Sequence, residues 1–254
     1  FGAVIRRARL EGQKDLLVSG AMGEGRLATF EIGDDGEPSL VGNLDLSAPI
    51  FALAEHPTTG HLYTTSKSIN TINVLKVREE GPDSEVIEGN PWLELTDVIV
   101  LPAYTLAAMD HARDLAFTAD GARLLTLHRS PSTVYLVDVR AKAEGTSDTV
   151  LTKVSVCRDP GRIQMVAPSK DGQLGELAYV SCYGADAIDV IDPSTGQRVA
   201  HIRTGRGPFG MAFIENEELG LRRLYVANFL SQTVGVIELD PTSPYFHTQI
   251  AEIR

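Results

Sequence analysis

The 254-residue chain is 43% hydrophobic and 22% charged, a composition able to bury a large core and unlike that of a disordered segment. A net charge of −11 without any Lys/Arg-rich tract sets nucleic acid aside as a partner, because a polyphosphate would meet a repulsive field. No apolar run approaches the roughly 20 residues of a membrane-crossing helix, so no transmembrane segment is expected.

The chain opens on Phe1, not methionine, in "FGAVIRRARLEG", an apolar stretch and a turn with no charged-then-apolar leader before it. That start reads as a processed chain or a piece of a longer one. "DLLVSGAMGEGRLATFEI" (Asp15 to Ile32) follows as strand, polar loop, strand, and "GDDGEP" (Gly33 to Pro38) reads as a hairpin turn and not a calcium loop. The order then recurs. "IFALAEHPTTG" (Ile50 to Gly60) leads to "HLYTTSKSINTINVLKV" (His61 to Val77). An acidic extension, "REEGPDSEVIEGNPWLEL" (Arg78 to Leu95), reads as a surface loop before an outer strand, "TDVIVL". Its Trp92 either docks a partner or tucks back onto its own sheet, and the second is preferred.

"RDLAFTADG" from Arg113 precedes "RLLTLHRSPSTVYLVDV" (Arg123 to Val139), and "RIQMVAPSKDG" from Arg162 precedes "LAYVSCYGADAIDVIDPSTGQRVAHIRTG" (Leu177 to Gly205). Last come "FGMAFIENEELG" from Phe209 and "RLYVANFLSQTVGVIELDPTSPYFHTQIAEIR" (Arg223 to Arg254). Asp120-Gly121, Asp171-Gly172 and Pro193 to Gly196 supply turn chemistry. "LAYV" suits a strand covered on both faces, whereas "IDVID" and "VYLVDV" alternate as if one face met a neighbour.

Five four-stranded units repeating at this spacing predict an all-β fold, a β-propeller of antiparallel blades forming a single domain. The blades fall at about 1–48, 49–110, 111–156, 157–205 and 206–254. A β-sandwich, the competing architecture, predicts no repeated register. Because the chain starts on an inner strand and stops on an outer one, the expectation favours part of a six- to seven-bladed ring over five blades closing unaided.

"LAYVSCYGADAIDVIDPSTGQRVAHIRTGRGPFGMAF" and "RLYVANFLSQTVGVIELD" resemble the YVTN-type β-propeller repeats, a family related in fold to lactonase-type and quinoprotein propellers. The likeness is strong over 157–254 and weaker before it. It implies a bacterial chain in the periplasm, secreted or at the cell surface, and it implies no particular activity.

In an up-and-down blade, the loop leading into the inner strand and the loop joining second to third strands share one rim. The candidates there are His111, Arg113, His128, Arg129, Arg158, Asp159, Tyr183, Asp186, Arg206, Asn228 and Phe229. Several guanidinium groups near one another suit a small anionic ligand or a partner's carboxylates; the plainer reading pairs them with neighbouring Asp residues. His111 and His128 share a blade but lack the companions of a metal or haem site, so two ordinary histidines are preferred. Cys157 and Cys182 fall on the same rim, and the sequence leaves a disulfide and two free thiols equally open.

No nucleophile elbow, phosphate loop or haem-attachment motif is found, and no cofactor is expected. The preferred function is therefore a non-enzymatic binding or scaffold propeller outside the cytoplasm, engaging a protein partner or small ligand. The alternatives are a lactonase-like hydrolase using His111, His128 and Asp186, and a redox accessory unit whose cofactor lies elsewhere in a longer chain.

Overall fold

The computed structural model describes residues 14–20, 24–46, 48–66, 69–78, 90–102, 112–140, 148–169, 174–216 and 218–254, together with the backbone of 2–5. Twenty strands and no helix lie among them. The first sheet is β1 (Gly2–Ile5), β2 (Leu16–Gly20), β3 (Arg26–Ile32) and β4 (Pro38–Asp45); the second is β5 (Ile50–Glu55), β6 (Leu62–Ser66), β7 (Thr71–Val77) and β8 (Leu93–Val100). The third is β9 (Ala112–Phe117), β10 (Arg123–Arg129), β11 (Ser132–Asp138) and β12 (Thr149–Ser155). The fourth is β13 (Pro160–Val166), β14 (Leu177–Cys182), β15 (Ala187–Asp192) and β16 (Gln197–Arg203); the fifth is β17 (Pro208–Asn216), β18 (Leu221–Asn228), β19 (Thr233–Glu238) and β20 (Thr248–Ile253).

Every sheet is hydrogen-bonded in chain order. Successive strands therefore join at alternate ends, and each sheet has two loop edges. The first-to-second and third-to-fourth turns define one, here called the turn edge; the second-to-third turns and the lead-in loops define the other, the rim.

The chain forms two compact units. Residues 1–115 with 142–148 make the first, and residues 116–141 with 149–254 make the second. In the first, Leu16, Val18 and Leu27 pack with Ile50, Leu62 and Leu75, and Trp92 completes the cluster. Burial of each such side chain contributes about 1.5–3 kcal/mol relative to exposure. Trp92 thus tucks inward, held by Asn90, whose Oδ1 accepts the Trp92 and Leu93 N–H groups while its Nδ2 donates to Thr29 Oγ1 at 2.8 Å. This anchor starts β8 at Leu93, three residues earlier than the sequence suggests; residues 79–89 of the acidic extension lie outside the described residues.

In the second unit, Leu125, Leu127, Val134 and Leu136 pack against Ala178, Val180 and Cys182. Behind them, Tyr179, Ile188 and Val190 pack against Leu224, Val226 and Ile237. The fourth sheet is therefore covered on both faces, which corrects the expectation from alternation. In β11 all residues but Ser132 are buried, and in β15 all but Asp192, Asp189 included. The polar residues that interrupt the apolar pattern, Asp189 among them, are therefore buried and do not mark a wet face.

The turns follow the residue chemistry. Gly121 (φ 69°) and Gly196 (φ 67°) close the β9–β10 and β15–β16 turns in left-handed conformations. Asp34–Gly36 turns between β3 and β4, with Glu37 N–H donating to Asp35 Oδ1. The Asp171-Gly172 pair lies outside the described residues.

Candidate functional site

On the rim of the fourth sheet, a disulfide joins Cys157, in the lead-in loop, to Cys182 at the end of β14, with Cα atoms 5.7 Å apart. The next residues bend sharply: Asp159 has φ 54°, and its carbonyl accepts the Tyr183 N–H at 3.0 Å. Arg158 donates from Nε to the Gly184 carbonyl at 2.9 Å, so its head is turned onto its own sheet's β14–β15 turn. Arg129 pairs with Asp159. The second-to-third turn of the third sheet is thereby tied to the lead-in of the fourth.

Asp186 repeats that tie one sheet later. Its carbonyl accepts the Thr204 N–H at 3.0 Å, and its Oδ1 accepts the Gly207 N–H at 2.9 Å. Arg206 then donates its N–H to Ser231 Oγ at 2.6 Å, while the carbonyls of Arg206 and Gly207 accept from Leu230 and Phe229. Gly207 has to be glycine here: its φ is +66°, and a Cβ would meet Leu230 Cγ at 2.8 Å and Tyr183 Cε2 at 3.1 Å. The close approach gathers the side chains of Tyr183, Phe229 and Leu230.

The resulting surface combines apolar area with positive charge. Phe229 is 71% exposed, Leu230 48% and Phe209 43%. The Tyr183 and Phe229 rings lie 6.4 Å apart, and the Arg162 guanidinium sits 5.3 Å over the Phe209 ring. Arg158 and Arg206, on the same rim, are exposed. The exposed Asp186 adds a carboxylate to the same rim.

The sequence candidates therefore separate. Tyr183, Asp186, Arg206 and Phe229 come together, and Arg129, Arg158 and Asp159 form a second group. Arg113 lies over the Phe51 ring at 5.0 Å. Two candidates are corrected. His128 is not in a rim loop: β10 runs through Arg129, and His128 is 1% exposed, with its ring edge-on to Tyr135 and its Nε2 3.1 Å from Thr126 Oγ1. Burial pushes its pKa down to about 4, so it is neutral near pH 7. Asn228 is buried as well; its Nδ2 donates to Thr233 Oγ1, and it packs so tightly under Gly205 that a Cβ there would lie 2.5 Å away. His111 lies outside the described residues.

Asp189 is a residue the sequence reading passed over. Wholly shielded from solvent on β15, its carboxylate accepts the Cys157 N–H at 2.7 Å and pairs with Arg198 at 3.2 Å and His201 Nδ1 at 2.7 Å. Three donors offset the cost of burying the charge. The signal in the sequence was an Asp flanked by apolar residues in "IDVID", with Arg198 and His201 on the next strand.

The second unit also holds a cavity of about 820 Å³, and it opens at the turn edge, away from the rim. Asp120 comes from the β9–β10 turn and Arg123 opens β10, Glu176 precedes β14, Asp192 ends β15, and Phe246 and His247 precede β20. The Glu176 carboxyl accepts the Ala119 N–H, and burial together with the charge of Asp120 raises its pKa. Nothing in the sequence distinguished these from ordinary turn residues.

No protein-family model matches the chain, and no curated protein does. Similar solved structures are numerous. One is a protein from Lactobacillus plantarum, 18% identical, over 94% of this chain and 67% of that one, with a TM-score of 0.69. Another, from Bacteroides uniformis and assigned as a 6-phosphogluconolactonase, is 14% identical over 98% of this chain and 70% of its own, with a TM-score of 0.68. The fold is a β-propeller. A third propeller, the dihydro-heme d1 dehydrogenase NirN, is 14% identical over 94% of this chain but only 45% of its own length, with a TM-score of 0.65. At these identities the likeness is one of fold, and the site chemistry must be argued from this chain's own residues.

Proposed function

We propose that this chain is a non-enzymatic binding propeller of the YVTN-repeat type, working outside the cytoplasm, whose rim captures an acidic segment of a partner protein. The observation that carries the reading is Phe229, 71% exposed with its ring centroid 6.4 Å from that of Tyr183, on the rim that also carries the exposed Arg206 and Arg158. Exposed aromatic and Arg side chains are the types that dominate binding energy at protein interfaces. Because the turns beneath them are fixed by backbone hydrogen bonds and by Gly207, little ordering entropy is lost when a partner docks. The Cys157–Cys182 bond supports a place outside the reducing cytoplasm.

The test is an array of acidic and basic peptides, with and without aromatic residues. The reading expects selective, salt-sensitive capture of acidic aromatic peptides, lost on Phe229→Ala or Arg206→Glu. Capture that ignores peptide charge, or survives both substitutions, contradicts it.

The likeness to a protein assigned as a 6-phosphogluconolactonase favours a second reading, lactone hydrolysis. His128, which that chemistry would have recruited as a base, is enclosed in β10 and the core. A lactone and ester screen separates the two readings: turnover abolished by rim substitutions would put hydrolysis first.

A further inference from the structure

We propose that the turn-edge cavity of the second unit binds a small organic cation carrying an apolar or aromatic body. Its volume of about 820 Å³ falls in the range of small-molecule sites, about 300–1,000 Å³. The charge on its walls sets the class of ligand. Asp120, Glu176 and Asp192 are the carboxylates, and Arg123 is the one guanidinium among the lining residues. Arg123 is already engaged, its Nη1 lying 3.5 Å from Asp138 Oδ2 and donating to the Ala122 carbonyl at 3.2 Å. The other basic group, His247, is held neutral near pH 7 because burial pushes its pKa down to about 4. Among the described lining residues the carboxylates therefore outnumber the charged basic groups, and a cation relieves the repulsion between Asp120 and Glu176.

The carboxylates are preset. Asp120 Oδ1 accepts Thr118 Oγ1 at 2.7 Å and the Ala122 N–H at 2.8 Å, and Asp192 Oδ1 accepts the Ser194 N–H at 2.8 Å and its hydroxyl at 2.6 Å. They do not converge as metal ligands do; among the described residues, the group that draws together within 4.8 Å is Cys157, Cys182 and Asp189. A hard ion is therefore a poorer match than a cation whose charge is spread over a larger body. The aromatic wall completes the fit. Phe246 stacks on His247 with ring centroids 3.8 Å apart, and His247 Nε2 is fixed by the Tyr179 hydroxyl at 2.8 Å. A neutral aromatic pair lining the same cavity as the carboxylates attracts an ammonium group by its π face.

This inference is independent of the rim, so either can fail alone. The test uses benzyltrimethylammonium as probe, with benzyl alcohol and phenylacetate as neutral and anionic counterparts, in an NMR titration of the whole chain. The cation should bind at least about tenfold more tightly than either counterpart, and Glu176→Gln with Asp120→Asn, or Phe246→Ala, should weaken it by about tenfold. Equal binding of all three probes, no saturable binding, or indifference to the substitutions overturns the proposal. Should a variant fail to fold, the wild-type amide shifts decide: perturbation centred on Ala119, Glu176 and Ser194 supports the site, and perturbation elsewhere overturns it.

Discussion

The buried carboxylate of Asp189 accepts the backbone N–H of Cys157 at 2.7 Å, so the loop that carries the disulfide is held by a covalent bond and by a solvent-shielded anion at the same point. Replacing both cysteines by Ser should lower the unfolding free energy by about 3 kcal/mol in urea titrations. Asp189→Leu should cost about 1–3 kcal/mol, because the Cys157 N–H loses its acceptor while Arg198 and His201, each about half exposed, turn to water. As both changes release one loop, the triple variant should lose less than the sum of the two. Strict additivity would show that the two anchors act separately.

His128 and His247 make the fold acid-sensitive. Burial pushes both pKa values to about 4, below the ordinary 6.5. As pH falls from about 6.5 to 4, the unfolded chain takes up protons that the folded chain refuses, so stability is full above that window and declines through it. For the nearly inaccessible His128 the slope approaches about 1.4 kcal/mol per pH unit. Glu176, whose pKa is raised by burial, titrates in the opposite sense and softens the decline. Urea midpoints at several pH values should fall toward pH 4.5, less steeply in His128→Gln. A flat profile would contradict the burial of these rings.

Gly207→Ala should destabilise the protein by about 1–2 kcal/mol, since L side chains resist φ +66° and the new methyl would press on Leu230 and Tyr183. The same variant should weaken peptide capture by misplacing Phe229. Thermal unfolding and binding measured side by side check both effects.

Phe229→Ala should leave stability within about 0.5 kcal/mol of the parent, because a ring 71% exposed contributes little to the core. A large loss of stability would assign Phe229 a packing role instead.

Much of this architecture was legible because strand, turn and strand recur with the same punctuation. "CYGAD" and "RTGRGP" could be assigned to one rim by counting strands, and Tyr183, Asp186 and Arg206 do meet there. Depth was not legible. Alternation in "IDVID" looks the same whether the polar face meets water or a neighbouring sheet, which hid Asp189. His128 stands one residue inside the end of β10, and a count of strands cannot place that boundary. The turn-edge cavity depends on Asp120, Glu176 and Phe246, distant in sequence, lining one space, and no local pattern records such convergence.

Hydrogen exchange with a captured acidic aromatic peptide tests the rim most directly. The account predicts slowed exchange in the backbone of 183–186, 204–207 and 229–232, with 119–122 and 193–196 unchanged. Protection confined to the latter turns, or absent from all five segments, would contradict it.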